Sequence, residues 1–296
     1  MIDFRISTFL EVCSCMNFTR AAENLHITQP AVSQHIKYLE DLYQAPLFIH
    51  EGKKFRLTNA GEVLYQTAIT LKSDEKNMIA QMQSEAPEHA PLIFGATMTI
   101  GEYVITNSLT AYIESHPDAN IRMVLSNTSD LLAKLQAGEI NFALVEGYFA
   151  SDEYDHLTYS VEDFIPVCSS AHTFKKVPKV LKDLLNERLL IREPGSGTRD
   201  ILEKNLEVKN IKVSDFKHVA EINSMPVIIQ LLENDCGVSF LYKTAVSKQL
   251  ENSCLHELKL MDFQMQHDFT FIWNKGSIFA TQYQEICDFL QSHRKI

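Results

Sequence analysis

The sequence predicts a multidomain chain, α+β at its N-terminus and α/β beyond it. Three observations carry this. Residues 1–58 hold short periodic helical segments, then an apolar strand, a glycine turn and a basic return strand. Residues 59–88 form one polar–apolar periodic run that ends in a polar stretch carrying Pro87 and Pro91. From residue 92 short apolar runs alternate with amphipathic stretches, the pattern of strands and helices in a largely parallel sheet. A length of 296 residues fits two or three domains, and an apolar content of 45% is enough to bury a sizeable core.

In the N-terminal segment Thr19 is placed to cap one helix and Thr28 a second, whose first turn tolerates Pro30. Ala21 and Ala22 are small enough for the two helices to cross closely. Val32, Ile36, Leu39 and Tyr43 recur at helical spacing and define one buried face. The opposite face carries Gln29, Ser33, Gln34 and Lys37, hydrogen-bonding side chains near a helix N-terminus, as major-groove readout needs. Helical spacing alone favours the plainer reading of two ordinary amphipathic helices with a polar face. The segment that follows reverses this in favour of the helix-turn-helix. Pro46–Thr58 reads as a wing, with Lys53, Lys54 and Arg56 able to meet phosphates or the minor groove.

In the run 60–84, Leu64, Ala68, Leu71, Glu75, Met78 and Met82 recur in steps of four and three, a heptad seam broken by Glu75. Such a helix is roughly 38 Å long at 1.5 Å per residue. It either forms a dimer seam or packs against its own N-terminal domain.

Apolar strands are expected at residues 92–95, 121–125, 142–146, 189–192 and 237–242. Four expected strands, the last at 219–222, run into hydroxyl- or glycine-rich turns that open helices. The turns bring Thr97 and Thr99, Asn127 and Thr128, Gly195, Ser196, Thr198 and Arg199, and Ser224 to strand ends, where α/β sheets bind ligands. Helix N-termini there favour anions, hydroxyls add donors and Arg199 adds a charge, so a small-anion pocket is expected. The competing reading is that each Ser or Thr simply caps its helix.

The N-terminal residues resemble the winged helix-turn-helix of LysR-type transcriptional regulators. The resemblance rests on Phe18–Ala22, Leu25, Gln29–Ser33, Ile36, Leu39–Glu40, Pro46–Phe48 and Leu57–Gly61. It implies that Gln29, Pro30 and Ser33 approach double-stranded DNA, with Lys53 in the wing, and that the linker helix of 59–88 forms a homodimer on the way to a homotetramer. Residues 91–296 resemble the family's two-lobed, periplasmic-binding-protein-like effector domain. Lobe one would be about 91–161 plus 268–296, including a returning strand at 268–273 and a closing helix at 281–293, and lobe two 162–267. The run Glu193–Arg199 is similar to members that sense small anionic metabolites, including regulators of sulfur assimilation and carbon fixation. The chain departs from the family at Gln34, Tyr38 and His50, where members often carry basic residues. Residues 1–60 hold six basic residues (Arg5, Arg20, Lys37, Lys53, Lys54, Arg56) and six acidic ones (Asp3, Glu11, Glu23, Glu40, Asp41, Glu51). With a net charge of −11 overall, any DNA contact is a local patch and the salt slope is expected to be shallow.

No G-x-S-x-G, H-E-x-x-H or P-loop pattern occurs, so an enzyme is the weaker alternative, as is a transport-type binding protein. No cofactor is expected, and the eleven His show no metal-ligand spacing. The six Cys form no C-x-x-C pair and read as reduced thiols, redox sensing being the alternative. With no leader-like or membrane-spanning apolar run, the chain is expected to be cytoplasmic without a membrane partner.

Overall fold

In the computed structural model residues 3–51, 54–83 and 91–294 are described, the side chains of His50, Glu51 and Lys54 excepted. Lys53, the linker end at 84–88 and the last two residues lie outside the described residues.

Three helices form the N-terminal unit: α1 (Phe4–Cys15), α2 (Phe18–Asn24) and α3 (Gln29–Tyr43). A two-stranded antiparallel wing follows, β1 (Phe48–Glu51) with β2 (Lys54–Leu57). Thr28 caps α3 by accepting from the Ala31 N–H at 3.4 Å, and Pro30 sits in the first turn. Thr19 does not cap α2. Asn17 does, because its side-chain oxygen reaches two free N–H groups at once, Thr19 at 2.9 Å and Arg20 at 3.1 Å. Phe9, Val12, Ala21, Ala22, Val32, Ile36 and Leu39 form the core, closed by Leu47 and the ring pair Phe48–Phe55. Tyr43 lies outside it and is exposed, since Gln44 in the left-handed region ends α3 there.

The linker helix α4 (Asn59–Gln83) divides its faces three ways. Leu64 and Ala68 pack into the N-terminal core. Thr70, Ser73 and Asp74 are buried against the second unit. Leu71, Met78 and Met82 of the heptad seam remain exposed, at 50%, 40% and 76%.

The second unit contains β3 (Leu92–Thr97), α5 (Met98–Tyr103), α6 (Thr106–Ser115), β4 (Ile121–Ser126), α7 (Thr128–Gln136), β5 (Phe142–Val145) and β6 (Tyr154–Ser169). It continues with β7 (Arg188–Ile191), α8 (Gly197–Val208), β8 (His218–Glu221), α9 (Met225–Glu233), β9 (Val238–Tyr242), α10 (Ser247–Glu251), β10 (Leu255–Glu257), β11 (Gln266–Asn274) and α11 (Ala280–Ser292). The strand order is β4-β3-β5-β11-β6-β9-β7-β8, with β10 on β6. Each end is parallel: β3 with β4 and β5, β7 with β8 and β9. The middle is antiparallel, so the sheet is mixed rather than largely parallel. The 16-residue β6 is the reason. It pairs with β11 from Tyr154 to Asp163 and with β9 from Phe164 to Cys168, stitching two parallel halves together. The carboxyl ends of β3, β4, β5 and β7 point into the space between the halves, the place an α/β sheet offers a ligand. Among the described residues no helix is long and apolar enough to cross a membrane.

Candidate functional site

Two polar surfaces stand out, one on α3 and one between the halves of the second unit. On α3, Gln29, Pro30, Gln34 and Lys37 are exposed and Ser33 half-buried, while Val32, Ile36 and Leu39 are buried. Gln29 Nε2 donates to Ser33 Oγ at 2.9 Å, so one turn of helix presents a preset amide. Thr19 and Arg56 are exposed. Arg5, ion-paired to Asp3, stacks its guanidinium over the Tyr38 ring, 3.9 Å from the centroid, which sets a second cation beside the helix next to Lys37.

Between the halves the expected hydroxyls converge, but not as helix caps. Thr97 Oγ1 donates to Glu146 Oε2 at 3.2 Å, and Thr99 Oγ1 donates to Oε1 at 3.1 Å. Thr198 Oγ1, from the other half, donates to Oε1 at 2.6 Å. Glu146 is 1% exposed. Burial pushes its carboxyl above the usual carboxylate range; the hydroxyls of Thr198, Thr99 and Thr97 and the Arg192 charge oppose this. Arg192 is 2% exposed and chelates Glu193 through Nε and Nη2, while its Nη1 has no partner among the described residues. Thr128 Oγ1 and Glu102 Oε2 are likewise buried and unpaired among the described residues. Burial also pushes Glu102 up, against the Arg192 charge.

The sequence reading missed Glu146 and Arg192. Their signal was a charged residue placed directly after an apolar strand run, after Phe142–Val145 and after Leu189–Ile191. The other expected residues divide. Asn127 caps α7 through the Asp130 N–H at 2.9 Å. Gly195 adopts φ 85°, and its carbonyl accepts from the Ser129 N–H across the cleft at 3.4 Å. Ser196 is buried at the start of α8, and Ser224 precedes α9 without a side-chain cap bond. Arg199 does not join the Glu146 cluster. Its guanidinium bonds Glu203 and Glu221 at 2.8 and 2.7 Å and the Arg192 carbonyl at 3.1 Å, turning toward β8.

No group of His, Cys, Asp or Glu among the described residues has metal-binding geometry. Burial pushes the Cys13 and Cys168 thiols up to about 12, opposite to the shift a redox-sensing thiolate requires.

A family model described as the LysR substrate binding domain matches residues 85–295, and one described as the bacterial regulatory helix-turn-helix protein, lysR family, matches residues 5–62. The chain belongs to the LysR family. It is a DNA-binding transcriptional regulator with an effector-binding domain, and the relatives it matches are regulators rather than enzymes. It is 28% identical to the HTH-type transcriptional regulator CysL of Bacillus subtilis, over 90% of this chain and 89% of that one. It is also 28% identical to the HTH-type transcriptional activator CmpR of Synechocystis, over 98% and 94% of the two chains. In fold the regulator is similar to full-length LysG of Corynebacterium glutamicum with bound effector Arg (TM-score 0.63, 16% identity, 99% of both chains). It is also similar to the CcmR regulatory domain of Synechocystis in complex with 2-PG (TM-score 0.61, 19% identity, 69% of this chain and 97% of that one).

Proposed function

We propose that this regulator binds double-stranded operator DNA as a homodimer, itself paired into a tetramer, and that a small oxyanion entering the cleft between the lobes sets its activity. On DNA, Gln29 and Ser33 read base edges, Gln34 and Pro30 pack at the groove, and Thr19, Lys37, Lys53, Lys54 and Arg56 meet phosphates. The exposed Leu71, Met78 and Met82 on α4 form the dimer seam. Joining two heads of low net charge raises affinity through effective concentration. The regulator acts in the cytoplasm.

One observation carries the anion reading. Hydroxyls from both lobes, Thr97 and Thr99 on one and Thr198 on the other, already hold a carboxylate, with Arg192 Nη1 and Thr128 Oγ1 left as unused buried donors. An oxyanion needs such a donor set in a closed, water-poor space. The binding of 2-PG to CcmR, a protein of the same fold, agrees in chemical class. Arg192, Thr99, Thr128 and Thr198 are the principal contacts, with Thr97, Asn127, Gly195, Ser196 and Ser224 shaping the walls and Arg199 fixing the loop after β7. A thermal-shift screen of small anions tests the reading, because a ligand of the folded state raises the melting temperature by mass action. At about 100 times Kd the stabilisation is about 2.7 kcal/mol. A screen of sulfur oxyanions, phosphate esters and small carboxylates in which none raises the melting temperature, while a neutral or cationic metabolite does, rejects it.

A further inference from the structure

Resting on that reading, we propose that Glu146 is a built-in occupant of the effector site, and that an oxyanion binds only as Glu146 gives up its hydroxyls and takes up one proton. The Glu146 carboxylate accepts from Thr97, Thr99 and Thr198, so it already bridges the lobes as a bound oxyanion would. At any pH where Glu146 is ionised, the site therefore holds one negative charge before a ligand arrives. A second one in the same closed space is opposed by like-charge repulsion with little screening. Protonation removes the conflict. The proton comes from solvent onto a Glu146 carboxyl oxygen, and no covalent bond is made or broken elsewhere. The neutral acid then becomes a donor to the oxyanion that displaces it.

The surroundings favour this exchange. Arg192, directly after β7, and Thr128, at the start of α7, keep donors beside the cluster that have no partner among the described residues. They are available to the ligand and not needed by Glu146. Charged and titratable groups face Glu146 from each packed element. Arg192 opposes protonation, and Glu102 on α5 partly offsets Arg192. Tyr242 on β9 donates to the Glu146 carbonyl at 3.4 Å. His267 on β11 bonds the same carbonyl and is held below its ordinary range, mainly by burial, although Asp268 raises it. Tyr148 lies under the Lys204 ammonium, at 3.1 Å from its ring centroid, and Asp200 on α8 is raised by burial. Of these, Glu102 and Asp200, both raised by burial, and His267 are the other groups that could take up the proton.

The experiment is calorimetric titration of the full chain with sulfate and with oxalate, neither of which changes charge over roughly pH 5.5–8, in buffers of differing ionisation heat. Above the Glu146 pKa the wild-type protein is expected to take up about one proton per anion, its affinity falling by up to about tenfold per pH unit. Glu146→Gln is expected to take up none and to bind more tightly at high pH, with a flat profile. Wild-type binding without proton uptake overturns the proposal on its own, as does uptake that persists in Glu146→Gln, which would assign the proton to Glu102, Asp200 or His267. The proton count is made on the wild-type chain and so stands even if the variant folds poorly. Binding of neither probe by either protein overturns the proposal, and the thermal-shift screen of the wider anion set then decides the anion reading separately.

Discussion

Gly147 and Gly197 meet backbone to backbone across the cleft: a Cβ added to Gly197 would lie 2.6 Å from the Gly147 nitrogen and 2.7 Å from its Cα. One follows Glu146 and the other precedes Thr198, so this contact sets the distance over which Thr198 reaches the carboxylate. Gly197→Ala is expected to hold the lobes apart. The overpacking should cost about 1–3 kcal/mol, read as a lower melting temperature. Solution scattering should show a larger radius of gyration, and the response of DNA binding to effector should be lost while basal DNA binding persists. An unchanged radius and a normal response would show that closure does not depend on this contact.

Glu146 also makes a prediction that needs no ligand. Its folded pKa is raised, so the stability it contributes is present at low pH and is lost as pH rises through that folded value. The wild-type melting temperature should fall over the window above the ordinary carboxylate value, and Glu146→Gln should flatten that fall. His267 acts with the opposite sign. Its folded pKa is lowered, so its contribution is lost as pH falls, and His267→Gln should stabilise the protein most at the acid end. Melting curves of the three proteins across pH separate the two groups.

The two arginines near the cleft should part company. Arg192→Ala removes a buried charge and leaves Glu193 unpaired, so a stability loss of about 3 kcal/mol and at least tenfold weaker anion binding are expected. Arg199 pairs with Glu203 and Glu221, which are 38% and 52% exposed, so Arg199→Ala should cost only about 1 kcal/mol and leave anion affinity within a few-fold. Equal losses of affinity in both variants would return Arg199 to the pocket.

On α3, Gln29→Ala should cost about 1–3 kcal/mol of operator affinity and relax specificity at one base pair. Ser33→Ala frees the Gln29 amide from its 2.9 Å bond and should cost less than that. Lys37→Ala should weaken all sequences alike and reduce the salt slope by about one. Gel shifts at several salt concentrations distinguish base readout from phosphate contact.

Local chemistry is what made the N-terminal unit legible. Thr28, Pro30 and the Val32–Ile36–Leu39 spacing act within one or two turns and define α3 without help from the rest of the chain. The cleft was legible only in part. Strand ends and their hydroxyls could be found one at a time, but Thr97, Thr99 and Thr198 reach Glu146 over separations of 49, 47 and 52 residues, and no spacing rule encodes that. Arg199 bonds toward β8 rather than the Glu146 cluster, and a first-turn position looks the same in sequence whichever side its helix presents. β6 escaped notice because it serves two environments in one strand, alternating in burial near Tyr154 and continuously buried near Ser169. Thr19 lost the cap to Asn17, whose side-chain oxygen reaches two backbone N–H groups.

Asp74, finally, decides what can turn against what. Ser277 Oγ and the Ile278 N–H donate to its carboxylate at 2.6 and 2.9 Å, and Thr70 Oγ1 bonds the Lys275 carbonyl at 3.1 Å. Asp74→Ala would strand the Ile278 N–H and should cost about 1–3 kcal/mol. The mechanical meaning is larger than the energy. With Ala68 set in the N-terminal core and Asp74 clamped beside β11, the DNA-reading head and the nearer lobe form one limb without an elbow. The farther lobe is then the jaw of a clasp, and in the proposed dimer its closing stroke would pass undamped into the angle between the two heads.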